Sequence, residues 1–230
     1  MKQDEEDELV RAFREQLEYD KEIEDARILL ANQSDFNLMD GFAMLDAHSK
    51  GSIAAPELGD ALSRLGHHTH KDLIYMLVRR FDKDNDGKLL YSDFCDAFTP
   101  KSLQHQMALN SRRAYFIHNN YHRLDYFCRE TRELFFSTLQ LYFANEESAE
   151  LLRKRLSKRP SFNVHDAFAA LDSDRNGFIT RDELKAILVE YHFYPTDHEL
   201  SLLIDRYDRN RDGRISYSEF SEELMPRGAL

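Results

Sequence analysis

"DSDRNGFITRDE", running from Asp172 to Glu183, decides the reading of this chain. Oxygen-bearing side chains stand at its first, third, fifth, ninth and twelfth positions: Asp172, Asp174, Asn176, Thr180 and Glu183. The seventh residue, Phe178, offers its backbone carbonyl. Gly177 is sixth, where the backbone can turn sharply, and Ile179 is eighth. A hard divalent cation wants about six to eight oxygen ligands, and this spacing supplies them from one short loop.

The same spacing recurs in "DRNRDGRISYSE" (208–219), with Asp208, Asn210, Asp212, the Arg214 carbonyl, Ser216 and Glu219 around Gly213. Both stretches satisfy D-x-[DN]-x-[DN]-G-x5-E, the pattern of a calcium loop, and each brings three carboxylates to the ion. "DKDNDGKLLYSD" (82–93) departs from it. Asp82, Asp84, Asp86 and the Lys88 carbonyl are in place, but Leu90 cannot ligate and Asp93 stands where glutamate is usual. The shorter side chain reaches an ion less well, so a weaker calcium site or an octahedral magnesium site is expected. "DAHSKGSIAAPE" (46–57) keeps Asp46, Gly51, Ile53 and Glu57 but has His48, Lys50 and Ala54 at interior ligand positions. Unit charges 4 Å apart interact by about 4 kcal/mol at an effective dielectric near 20, and a divalent ion doubles that. With Lys50 inside the loop, no calcium is expected there.

The loops belong to an internal repeat. Shifted by 126 residues, Phe36-Asn37, Asp40, Phe42 and Asp46 meet Phe162-Asn163, Asp166, Phe168 and Asp172, and Tyr91-Ser92 and Phe94 meet Tyr217-Ser218 and Phe220. Roughly a third of positions 35–100 are identical to 161–226, without a gap. Helical patterning flanks each loop: Phe162, Phe168 and Leu171 before the third, Leu184, Ile187, Leu188 and Tyr191 after it. Thr196-x-x-Glu199 reads as a capping box, Thr69-x-x-Asp72 as its counterpart, and Gly66 as a helix stop. Ile53 is expected to pair with Leu89, and Ile179 with Ile215. Upstream, Leu9, Phe13, Leu17, Ala26 and Leu30 share the offset with Phe135, Leu139, Phe143, Leu152 and Leu156. A long amphipathic helix, with Leu124, Phe127, Cys128, Leu134 and Phe135 opening its stripe, is expected to end at Pro160.

On these residues the chain resembles the EF-hand superfamily in the four-loop architecture of calmodulin and centrin. The resemblance implies an all-α fold of two EF-hand pair lobes, each with a short β pairing between its loops. Four segments are expected: an acidic N-terminal helix (1–34), a first EF-hand pair (35–100), a basic, aromatic-rich helical linker (101–160) and a second pair (161–230). The linker departs from calmodulin-like proteins, whose second and third loops lie close together. It and the "YSDF" and "SYSEF" stretches resemble EF-hand proteins of protist cilia and flagella, including those packed on axonemal microtubules.

Composition narrows the function. The net charge is −11 over 230 residues. Only 99–160 is basic, with eleven basic and six acidic side chains. That segment suits an acidic partner, the chain's own acidic lobes or a solvated face, and the whole is a poor nucleic-acid binder. No apolar run approaches a membrane span, and the acidic start is no secretory signal. Two cysteines, Cys95 and Cys128, imply no disulfide framework, so an intracellular chain is expected. His67-His68-x-His70 reads as a solvated turn beside a helix cap rather than a metal site. No nucleophile motif, phosphate-binding glycine loop or zinc spacing points to catalysis.

The expected function is a non-catalytic calcium-binding component of a larger assembly, cytoplasmic and cytoskeletal, with the ciliary axoneme as one location and tubulin or other cytoskeletal proteins as partners. The alternative is a free cytosolic calcium sensor or buffer with a dedicated target, and a third reading is an enzyme subunit under calcium control. Six methionines, with Met225 alone in the last lobe, argue against a promiscuous Met-lined groove. The linker helix can dock in an EF-hand groove or serve as ordinary core. The first lobe is expected to hold its shape without calcium, and the second to respond to the ion.

Overall fold

Residues 3–114, 125–160 and 162–228 are described in a computed structural model. Among them are eleven helices and two two-stranded sheets. Helix α1 (Gln3–Asn32) precedes the first EF-hand pair, formed by α2 (Leu38–Leu45), β1 (Ser52–Ala54), α3 (Ala55–Arg64), α4 (Lys71–Phe81), β2 (Lys88–Leu90) and α5 (Tyr91–Phe98). Then come α6 (Leu103–Asn110) and α7 (Arg129–Ser157). The second pair is α8 (Val164–Leu171), β3 (Phe178–Ile179), α9 (Arg181–Glu190), α10 (Asp197–Tyr207), β4 (Ile215–Ser216) and α11 (Tyr217–Leu224). Leu124, the first member of the expected stripe, lies outside the described residues.

Local chemistry sets the boundaries. Asn37 and Asn163 cap α2 and α8 by accepting backbone N–H bonds from Asp40 and His165. Thr196 and Glu199 form the expected capping box on α10. At α4 the expectation fails by one residue: His70 is the cap, its Nδ1 accepting from Asp72 N–H. Gly66 stops α3 with φ of 88°, and His67 N–H reaches back to Leu62 O at 2.8 Å. His192 takes the same left-handed conformation at the matching place after α9, and Phe193 N–H bonds Leu188 O. Both inter-loop ladders are antiparallel with the expected registers, Ile53 opposite Leu89 and Ile179 opposite Ile215. The first ladder is three residues long, the second two.

The chain divides into two compact units whose boundaries fall inside the long helices. The N-terminal unit holds the end of α1 from Glu22, the first EF-hand pair, α6 and α7 up to Glu146. Its core combines Phe36, Phe42, Leu45, Phe94 and Phe98 with Ile23 and Leu30 of α1 and Phe135, Phe136, Leu139, Tyr142 and Phe143 of α7. The C-terminal unit holds α1 up to Lys21, the rest of α7 and the second pair. Its core combines Phe168, Leu188, Leu203, Tyr207 and Phe220 with Leu9, Val10 and Phe13 of α1 and Leu152 and Leu156 of α7. The described parts of 1–34 and 101–160 are shared between these two units, because the apolar stripes of both long helices are core material.

Helix α7 is the repeat copy of α1, and the two units carry matching buried polar contacts at the same offset. Glu24 pairs with Arg27 at 3.2 Å and accepts from Lys101 N–H at 2.6 Å. Glu150 pairs with Arg153 at 3.2 Å and accepts from Arg227 N–H at 3.0 Å. Arg80 of α4 meets Glu146 of α7 at 2.9 Å, and Arg206 of α10 meets Asp20 of α1 at 3.1 Å. Each EF-hand pair is thus braced by the second half of its own long helix and the first half of the other.

Candidate metal centres

All four loops share one backbone. The fourth residue of each, Ser49, Asn85, Arg175 and Arg211, has φ between 51° and 60°, and the sixth is a glycine at positive φ. The first aspartate holds this turn. Asp172 carboxylate oxygens accept from Asn176 and Gly177 N–H, both at 3.0 Å. Asp208 does the same with Asp212 and Gly213, Asp82 with Asp86 and Gly87, and Asp46 with Lys50 and Gly51. The twelfth residue caps the outgoing helix, with one oxygen of Glu57, Asp93, Glu183 and Glu219 accepting from the N–H of the ninth. In loops three and four, Thr180 and Ser216 complete a capping box. Ala54 and Leu90 have no acceptor, so loops one and two keep half of it.

Two trios of carboxylates converge among the described residues. In loop three, oxygens of Asp172, Asp174 and Glu183 lie within 4.8 Å of one another, and in loop two those of Asp82, Asp84 and Asp86 do. Such all-oxygen, multiply anionic sets fit a hard divalent cation. In loop four, Asn210 stands at the third position and donates to Asp212 at 3.1 Å, leaving Asp208, Asp212 and Glu219 as its carboxylates. Glu219 accepts from Arg209 N–H at 3.0 Å, as Glu183 accepts from Ser173 N–H in loop three. Burial pushes the Glu183 carboxyl up, but bonds from Thr180, Ser173 and Asp174 outweigh it and hold the group below the ordinary glutamate range. Asp93 goes the other way. Burial, only partly offset by Leu90 N–H, raises it, and it is not part of the loop-two trio.

Loop one carries an internal cation. Lys50 Nζ lies 2.6 Å from Glu57 Oε1, and that bond chiefly lowers the Glu57 pKa. The ammonium binds the twelfth-position carboxylate instead of swinging away from it. Before α4, His67 stacks on Phe136 with ring centroids 4.0 Å apart rather than lying in solvent, while His68 and His70 are exposed. Sequence reasoning missed Arg80, Arg206, Glu24, Glu150, Arg27 and Arg153. Their signal was available, since each of these pairs is an identity at the 126-residue offset.

Paired helix-loop-helix units joined by a short ladder, with a cation-binding donor set in the loops, already specify a family. The family described as EF-hand domain pair matches residues 35–99 and 162–225, more than half of the chain. The chain belongs to the EF-hand family. It is 24% identical over 187 residues to a troponin C isoallergen of Blattella germanica, covering 81% of this chain and 91% of that protein. A putative calmodulin-like protein 6 of Oryza sativa subsp. japonica is 24% identical over 192 residues, covering 84% and 82%. A calcium-dependent protein kinase 33 of Arabidopsis thaliana is 27% identical over 179 residues, which are 78% of this chain but 24% of the kinase. This chain is a calcium-binding EF-hand protein, similar to calmodulin-like proteins and troponin C. No helix among its described residues is long and apolar enough to cross a membrane.

Proposed function

We propose that this EF-hand protein is a non-catalytic structural and regulatory component of a larger protein assembly, with calcium held mainly by the C-terminal pair. The observation that carries this reading is the filling of both EF-hand pairs by the chain's own long helices. A sensor that works by exposing a groove needs that apolar surface for its target, and here Phe13 and Phe135, both fully buried, occupy it. The ligands are Asp172, Asp174, Asn176, Phe178 O, Thr180 and Glu183 in loop three and Asp208, Asn210, Asp212, Arg214 O, Ser216 and Glu219 in loop four. Asp82, Asp84, Asp86, Lys88 O and Asp93 form a weaker site for calcium or magnesium. Loop one takes no ion, because Lys50 already neutralises Glu57.

The partner is a protein, and the resemblance to ciliary and flagellar EF-hand proteins favours a cytoskeletal one, tubulin or another axonemal component. Calorimetric titration of the full chain tests the ion assignments: two tight sites and one weak site are expected, and Glu183→Gln with Glu219→Gln should abolish the tight pair. An apolar fluorescent dye should bind no more strongly when calcium is added. A large calcium-dependent rise would favour the free sensor. Localisation with partner identification tests the assembly, and a protein recovered wholly outside the detergent-resistant cytoskeleton would count against it.

A further inference from the structure

Arg206 stands two residues before Asp208, the first ligand position of loop four. Its guanidinium, shielded from solvent, reaches Asp20 of α1 through Nη1 at 3.1 Å and Glu223 of α11 through Nε at 3.3 Å. Glu223 lies four residues after Glu219, the last ligand position. Its Oε1 also meets Arg153 of α7 at 3.1 Å, and its Oε2 meets Arg227 at 2.6 Å. Arg153 Nε donates to the Glu223 carbonyl at 2.8 Å, and its Nη1 meets Glu150 at 3.2 Å. Three guanidiniums thus face three carboxylates, those of Asp20, Glu150 and Glu223, with the partly exposed Lys154 ammonium 3.9 Å from Glu150 at the edge. The balance matters, because a buried charge is tolerated only when it is paired.

This network ties together the helices on both sides of loop four, and it ties both to α1. The N-terminal unit supplies an internal control. There the position of Glu223 is taken by Ala97, and Tyr142 donates to the Ala97 carbonyl. Arg80 still meets Glu146, but no carboxylate at position 97 joins it to the outgoing helix. Glu223 thus offers the C-terminal pair a carboxylate at a position where Ala97 offers the N-terminal pair none. Further contacts seat α1 on the same pair: Tyr207 donates to Gln16 at 2.7 Å, Phe13 packs edge-on against Tyr207, Tyr191 donates to Glu6 at 2.8 Å, and Lys21 meets Glu199 at 2.9 Å.

We propose that Asp20, Arg206 and Glu223 link the seating of α1 on the C-terminal pair to ion binding in its loops, so that calcium tightens α1 in place. The sign is part of the proposal: α1 is seated on the pair in which Asp172, Asp174 and Glu183 of loop three lie within 4.8 Å of one another, so the seated state is taken as the one that receives the ion. Linkage is reciprocal: whatever loosens α1 weakens calcium, and calcium protects α1. The inference rests on the calcium sites proposed above and adds what the ion does there.

Two measurements on the full chain test it. Hydrogen exchange of the amides of residues 6–19 should slow on adding calcium, and magnesium at the same concentration should slow it less. Asp20→Asn should weaken calcium binding at the C-terminal pair by about fivefold or more, the lower range of measured couplings. Glu183→Gln with Glu219→Gln should abolish the calcium effect on α1. Calcium that binds the C-terminal pair while leaving α1 exchange unchanged overturns the linkage alone, as does faster exchange. No calcium bound in the C-terminal pair overturns the site assignment as well.

Discussion

At the scale of single residues, loop one keeps the frame of an EF-hand loop around a lysine at a ligand position. Asp46 and Glu57 each have a backbone duty: Asp46 holds the Lys50 and Gly51 amides, and Glu57 caps α3 through Ala54 N–H. Lys50, at an interior ligand position, supplies a positive charge to the Glu57 carboxylate. His48→Asp with Lys50→Asn should give the loop an oxygen set resembling that of loop three, and calorimetry should then count one ion more than in the unaltered chain. An unchanged count would mean that something beyond these two side chains blocks the site. A second residue sets an acid limit. Thr196 N–H and Lys21 hold Glu199 down to about 2, against an ordinary 4.5. A depressed carboxylate stabilises the fold above its unfolded value and stops doing so as pH falls through the folded one. Unfolding followed from pH 5 to pH 2 should therefore show stability of the C-terminal unit declining, and Glu199→Gln should flatten that decline while leaving the capping geometry available.

At the scale of elements, the loops, their ladders and their flanking helices were legible because each is written locally. Turn glycines, an apolar residue between two ligand positions and apolar residues at helical spacing need no distant partner to be recognised. The destinations of α1 and α7 were not legible in this way. Leu9, Val10 and Phe13 make an amphipathic stripe, and periodicity says that a stripe is buried without saying against what. The clue lay in charges rather than in apolar residues. An acid at 20 and 146 and an arginine at 80 and 206 keep the same offset because each arginine is desolvated and needs its acid. The cap at His70 in place of Thr69 has a similarly local cause, since an imidazole nitrogen can accept the Asp72 N–H. If the long helices are core elements, truncating their aromatics must cost what core truncation costs. Phe13→Ala and Phe135→Ala should each destabilise the unit that buries the ring by about 3–5 kcal/mol. Denaturation by urea, read with probes in each unit, checks this. Losses below about 1 kcal/mol would show the helices to be loosely attached.

At the scale of the whole molecule, two duplicate halves carry unequal loops, and the proposed function makes their dependence on calcium unequal. The C-terminal unit has two loops that fit the full calcium pattern and, in Arg206–Glu223, a buried ion pair between the helices flanking loop four. The N-terminal unit has the weaker set of loop two, an ammonium in loop one and Ala97 where the other unit has Glu223. A ligand that binds only the folded state stabilises it by about 2.7 kcal/mol at a hundredfold excess over its dissociation constant, and a second site adds its own increment. Removing calcium with a chelator should therefore loosen the halves unequally. Amides of α10 around Leu200–Ile204 should lose protection against hydrogen exchange by about a hundredfold or more. Those of α4 around Leu73–Leu77 should change far less, because Lys50 and the α7 aromatics stay in place when the ion leaves. Two units need not unfold as one transition, so the comparison must be made amide by amide rather than by a single melting temperature. Equal loss of protection in α4 and α10 would contradict the asymmetry. It would mean that the missing ligands of loop one are not replaced by anything the first half holds by itself.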